Sequence, residues 1–252
     1  MINDTLTSLI AGLQGECGIA IINLNSREII FEHNANTAFI SASCIKTAIL
    51  VELFDRVNSG ELDPKAPITI SDDDFVGGSG IMEMLSVPRE YTLDDCALLM
   101  IIVSDNVATN KLIDLLSIDA VNAKMKQIGM HNSILARKMM DFEARKQGRE
   151  NLMSPNDAIQ LYDHIYQHRD RYSRLLNILL SQQLKGNLPH LVDSSIQFAH
   201  KTGSLDGVLN DTGIFFFSEP IAVAVMIQNL EKAMDGKIFQ NKVGKAIADF
   251  FM

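Results

Sequence analysis

The chain has 252 residues, 47% of them hydrophobic, enough to bury a substantial core, which excludes a disordered or fibrous protein. Its 22 basic and 31 acidic residues leave a net charge of −9, with no Lys/Arg-rich run to track a phosphate backbone, so nucleic acid is not an expected partner. The longest apolar runs, 96–103 and 221–227, fall well short of the roughly 20 residues that cross a bilayer, and no membrane span is expected.

The N-terminal segment carries Asp4 early and has no basic stretch leading into an apolar run with a small-residue cleavage site. The chain as written is therefore expected in the cytoplasm, or outside it if it is a trimmed mature form. Three cysteines, Cys17, Cys44 and Cys96, lack metal-ligand spacing and read as reduced core thiols. No cofactor and no metal are expected.

Residues 3–13 predict a short amphipathic helix, followed by a hairpin of 18–24 and 28–32 about an Asn25-Ser26 turn. From Ser43 to Asn58 the spacing predicts a strongly apolar, largely buried helix closed by Gly60. Apolar residues at three-to-four spacing predict further helices at about 92–103, 105–117, 119–128, 155–168 and 171–182. After Pro189 the pattern changes to strands rich in Ile, Val and Phe at 197–202, 213–217 and 221–228, then a last helix at about 235–251. A sheet assembled from both chain ends with a helical block inserted between them is an α/β plus all-α architecture: residues 1–47 and 190–252 form an antiparallel sheet flanked by helices, and 48–189 form the inserted all-helical domain. The groove between the two parts is the expected site.

Three short motifs carry chemistry. Ser43-Cys44-Ile45-Lys46 sets a hydroxyl and an amine three residues apart on one helix face, which suits a nucleophile and its base if burial and a second cation keep the lysine neutral. Alone, it reads equally well as a capping serine and a snorkelling lysine. Ser104-Asp105-Asn106 falls at a joint between helices, where a simple N-cap cluster is the plain alternative. Lys201-Thr202-Gly203 ends a strand, where the lysine can hold a substrate carboxylate and the glycine admits close backbone approach.

In this order and on these elements the trio resembles class A β-lactamases and penicillin-binding proteins, and the likeness extends over almost the whole chain. The resemblance implies the β-lactamase/transpeptidase-like fold and a serine hydrolase that forms an acyl-enzyme on a lactam, amide or ester. It implies Ser43 as nucleophile, Lys46 as base, Ser104 as proton relay and Lys201 as a catalytic-site cation. Asn106 would hold the substrate amide, Lys201 and Thr202 its carboxylate beside Gly203, and the backbone N–H groups of Ser43 and Ser204 the oxyanion. The implied partner is a small molecule or peptide bearing a carboxylate; the sequence does not specify an oligomeric state.

The chain departs from that pattern in one loop. Class A β-lactamases carry Arg-x-Glu where this chain has Arg137-Lys138-Met139, and methionine cannot act as a general base, so the acyl-enzyme should persist. Asp141, Glu143 and Glu150 are nearby, Glu143 being the favoured substitute. The segment after Gly203 lacks an arginine, and Asp206 disfavours an anion. These features argue against an efficient periplasmic destroyer of antibiotics. They leave open a D-Ala-D-Ala carboxypeptidase or transpeptidase, or a non-catalytic acylated sensor. His164 and His168 share a helix face without a third ligand and read as solvated surface, while Met82, Met84, Met100, Met139 and Met140 read as adaptable core filler.

Overall fold

The computed structural model describes residues 2–86 and 89–252. Helix α1 (Ile2–Ala11) leads into β1 (Glu16–Asn23), β2 (Ile29–His33) and the short β3 (Phe39–Ile40). Helix α2 (Lys46–Asn58), β4 (Pro67–Thr69), β5 (Glu90–Thr92), α3 (Leu93–Ile102), α4 (Asn106–Leu116), α5 (Ile118–Ile128), α6 (Phe142–Lys146), β6 (Leu152–Met153), α7 (Pro155–Gln167) and α8 (Ser173–Leu180) follow. The chain returns through β7 (Gln197–Leu205), β8 (Val208–Phe216) and β9 (Pro220–Gln228), and ends in α9 (Ala233–Phe251).

The main sheet is ordered β2–β1–β9–β8–β7 and antiparallel throughout, so strands from opposite ends of the chain meet where Glu16–Asn23 pairs with Ile221–Gln228. Side chains alternate across it. Ile19, Ile21, Val223, Val225 and Ile227 pack with residues of α1 and α9, whereas Ala20, Ala222, Ala224 and Met226 belong to the helical core on the other face. The small residues on that second face let helices approach closely; at Gly18 an added Cβ would lie 2.5 Å from the Phe39 ring and 2.7 Å from Pro155.

Capping fixes the helix starts. The Thr92 hydroxyl accepts from the Asp95 N–H at 3.1 Å while the Asp95 carboxylate accepts from the Thr92 N–H at 2.9 Å, a reciprocal cap on α3. Ser154 caps α7 with Pro155 behind it, and Gly129 ends α5 at φ +100°. Helix α9 packs against the turn Leu188–Leu191, where a Cβ at Gly244 would meet the Leu188 carbonyl oxygen at 1.8 Å. Gly244→Ala is therefore expected to destabilise the protein by about 2 kcal/mol in urea unfolding, because backbone displacement outweighs the roughly 1 kcal/mol gained in helix propensity. An unchanged or raised midpoint would show that the turn yields freely.

Two expectations need correction. The helix expected from Ser43 begins instead as a 3-10 turn, Ala42–Ile45, and becomes α-helical at Lys46. Ala42 at φ +45° breaks the regular path there. Met84 is not core: it is 84% exposed, because the 3-10 turn Met82–Met84 buries Met82 alone among its methionines. Cys17, Cys44 and Cys96 are free and buried.

Candidate active site

The turn carrying Ser43 is fastened from three sides. Strand β3 pairs with β6, and the Ser41 N–H donates to the Asn151 carbonyl at 2.9 Å. From the sheet, the Asn210 amide donates to the carbonyls of Ile40 and Ser41 at 2.9 and 3.1 Å. Edge strand β7 approaches so closely that a Cβ at Gly203 would lie 2.8 Å from the Ser41 oxygen and 3.0 Å from the Ser43 nitrogen. Only glycine fits there.

Lys46 and Lys201 are both fully buried and meet at Ser104. Lys46 Nζ lies 2.8 Å from the Ser104 carbonyl oxygen, 3.1 Å from Ser104 Oγ and 2.9 Å from Asn106 Oδ1. Lys201 Nζ donates to the same Oγ at 3.2 Å and to the Thr202 carbonyl at 2.8 Å. One hydroxyl thus bridges two amines. Burial drives the Lys46 pKa well below its usual value, the Lys201 charge adds to the effect, and Asp105 opposes it. Burial likewise lowers Lys201 to about 8, opposed in part by Asp211. The neighbouring Cys44 thiol is pushed up to about 12 by burial, which keeps it protonated and inert beside the serine.

Ser104 reaches this position at φ +57°, a left-handed conformation that costs a β-carbon residue about 1–3 kcal/mol. Ser104→Gly should relieve that strain and leave thermal stability equal or higher, while slowing acylation by about 10²-fold through loss of the bridging hydroxyl. Parallel melting and rate measurements separate the two effects, and a variant both less stable and fully active would refute the reading. Asp105 serves structure: its carboxylate accepts from the N–H groups of Ile81, Met82 and Ala108 at 2.7, 2.9 and 3.0 Å, tying the 77–82 loop to α4. Asn106 donates its amide to the Gly77 carbonyl at 3.0 Å.

Ser43 opens into a cavity of about 220 Å³ with Asn106 and Ser204 on its polar side and Met139, Met140 and Phe142 on its apolar side. The structure thus brings Ser43, Lys46, Ser104, Asn106, Lys201, Gly203 and Ser204 together, with buried Thr202 beside Lys201 on β7. Met139 and Met140 are cavity wall rather than plain filler. The Met139 backbone is clamped by Asn110, whose Oδ1 accepts from its N–H at 2.8 Å and whose amide donates to its carbonyl at 3.1 Å. The loop is closed by Glu150, which accepts from Arg137 at 2.6 and 3.1 Å and lies 3.0 Å from Arg145 Nε.

Glu143, the favoured substitute acid, is correspondingly misplaced: it pairs with Lys146 at 2.7 Å with its side chain 76% exposed, because α6 turns it to solvent. Asp141 is spent capping α6 on the Ala144 N–H at 2.9 Å. Asn110, Asn151 and Asn210 were not evident from the sequence, since each works by gripping distant backbone and none belongs to a short motif. His164 is half buried rather than solvated, hydrogen bonding with the Tyr172 hydroxyl at 3.2 Å.

A model of the beta-lactamase enzyme family matches residues 1–251. The chain belongs to that family. It is a serine hydrolase acting on amide bonds. It is 25% identical to beta-lactamase CARB-4 of Pseudomonas aeruginosa, over 96% of this chain and 87% of that protein. The beta-lactamase of Sphaerobacter thermophilus superposes with a TM-score of 0.90 at 29% identity, covering 99% of this chain and 96% of its own. A mutant of PBP-A solved as an acyl-enzyme complex with penicillin G superposes with a TM-score of 0.88 at 25% identity, covering 98% and 94%. The β-lactamase fold and the antiparallel sheet are as expected. No helix among the described residues is long and apolar enough to cross a membrane.

Proposed function

We propose that this family member is acylated at Ser43 by β-lactams or related amides bearing a carboxylate and releases the acyl group slowly, in the manner of a penicillin-binding protein. The observation that carries this reading is Met139 in the wall of the Ser43 cavity, with Asp141 capping α6, Glu143 paired with Lys146, and Glu150, the one acid that lines the cavity among the described residues, ion-paired with Arg137 and Arg145. A carboxylate held by two guanidiniums is a poor acceptor of water's proton.

In the proposed first half-reaction, neutral Lys46 takes the Ser43 Oγ proton as Oγ bonds to the carbonyl carbon. The oxyanion rests on the N–H groups of Ser43 and Ser204, which the close approach of β7 to the Ser43 turn brings to one mouth. Collapse breaks the C–N bond. Ser104 gives its proton to the departing nitrogen and recovers one from Lys46, its neighbour at 3.1 Å. Lys201, as the ammonium, and Thr202 hold the substrate carboxylate, and Asn106 the side-chain amide.

The rate of acylation should fall at low pH as Lys46 gains a proton, at a pH below the range of an ordinary lysine because burial and the Lys201 charge lower its pKa. It should fall again above about pH 8 as Lys201 loses its charge and the carboxylate is held less well. A second-order acylation rate that climbs unbroken to about pH 10, the range of an ordinary lysine, would contradict the assignment.

Labelling with a fluorescent penicillin followed by a chase with unlabelled drug tests the proposal. Label is expected on the wild type, to outlast the chase, and to be absent from Ser43→Ala. Absence of label on the wild type, or its rapid loss, would overturn the reading.

A further inference from the structure

One charged wall of the Ser43 cavity has no task in the proposed reaction. Among the described residues, the charged side chains that line this cavity are Arg137, Arg145 and Glu150. Two guanidiniums against one carboxylate make the wall net cationic, in a chain whose net charge is −9. Arg137 already answers Glu150: its Nε and Nη2 donate to Oε1 at 3.1 and 2.6 Å, and the Asn151 N–H adds a bond at 2.9 Å. Arg145 is the surplus cation.

Its guanidinium is kept at the cavity wall by Glu150, whose Oε2 lies 3.0 Å from Arg145 Nε. Neither terminal nitrogen of Arg145 has a hydrogen-bond partner among the described residues. The side chain is 43% exposed, so these donors are open to solvent and to a ligand. A guanidinium presents its donors as a planar fork that matches a carboxylate. Met139, Met140 and Phe142 give the same cavity apolar wall, and Asn106, assigned above to the substrate amide, lines it too.

We infer that Arg145 selects acyl donors that carry a second carboxylate, at the end of a short aliphatic chain on the acyl side of the bond that Ser43 attacks. The inference rests on the proposed function, because it names the substrate class of the same cavity. The chain beyond the amide packs against Met139, Met140 and Phe142, and its carboxylate accepts from the two free nitrogens of Arg145. Water competes for a guanidinium this exposed. The preference is therefore about fivefold, the upper end of what an exposed ion pair contributes.

The test uses two compounds on one penicillin nucleus: the glutaryl derivative of its amino group, with a terminal carboxylate, and the corresponding primary amide, of the same shape without the charge. Intact-protein mass spectrometry of the full chain gives the second-order rate of Ser43 acylation by each. The glutaryl compound should react about fivefold faster than the amide, and the ratio should fall to about one in Arg145→Gln. On the wild type it should also shrink between 0.1 and 1 M salt, as the Debye length drops from about 10 to about 3 Å. Each ratio is taken on one protein, so a loosened loop in the variant acts on both compounds alike. Equal rates on the wild type, a ratio that Arg145→Gln leaves in place, or one indifferent to salt would each overturn the inference and leave acylation of Ser43 standing. If neither compound labels Ser43, the proposed function falls and this inference with it.

Discussion

Replacing Lys46 by methionine should slow acylation of Ser43 by about 10³-fold, within the range that a positioned general base contributes, while leaving the protein folded. Methionine keeps most of the aliphatic stem in a helix that is buried from Lys46 to Phe54. What disappears is the amine between Ser104 and Asn106, whose pKa burial and the Lys201 charge lower. Lys201 cannot replace it, because at about 8 it remains largely an ammonium at neutral pH and is turned to Ser104 and the Thr202 carbonyl. Stopped-flow labelling with a reporter penicillin measures the rate, and circular dichroism the fold. A loss of less than about tenfold would mean that another group takes the serine proton.

The second large effect concerns release. Met139→Glu should speed deacylation by about 10²-fold with acylation little changed, because it adds to the wall of the Ser43 cavity a second carboxylate besides Glu150, which Arg137 and Arg145 hold. The loop can receive it. Asn110 grips the main chain of residue 139, Asn151 accepts from the N–H groups of Ala136 and Arg137 at 2.8 and 3.0 Å, and Arg137 is anchored on Glu150. None of these bonds involves the Met139 side chain. Met139→Leu, which keeps an apolar wall, should release no faster than the parent. If the leucine variant accelerated equally, loop mobility rather than a missing base would set the rate.

These expectations rest on features that differed in how plainly the sequence displayed them. Long periodic elements were legible: the hairpin near the N-terminus, helices α3, α4, α5, α7 and α8, and strands β7 and β9 lie within a few residues of their expected places, whereas β8 begins at Val208 rather than at 213 and the short helix α6 has no expected counterpart. Their signal is local and repeats. The two-residue strands Phe39–Ile40 and Leu152–Met153 have no period to detect, yet their pairing sets the loop of Met139 over Ser43. The 3-10 turn at Ser43 runs straight into the apolar pattern that predicts the helix, and the positive φ of Ala42 that sets it apart leaves no mark in composition.

At the site, the motifs announced the residue types but not their supports. Ser104 bridging two lysines follows from three segments far apart in sequence, and the motif residues are indeed the ones that meet. Sequence position alone does not say which way Glu143 or Glu150 points. A five-residue helix then turned Glu143 outward, and the cationic flank of the loop claimed Glu150. Opposite charges at Arg137 and Glu150, bracketing the loop, were the one signal that could have hinted at this closure.

On the proposed function, attack at Ser43 is intact and release is slow. Intact-protein mass spectrometry after a brief exposure to penicillin G, followed over time once free drug is removed, tests it most directly. One added drug mass is expected on the wild type and none on Ser43→Ala, with the adduct decaying far more slowly than on Met139→Glu. An adduct that vanishes as quickly from the wild type as from Met139→Glu, or that forms on Ser43→Ala, would contradict it.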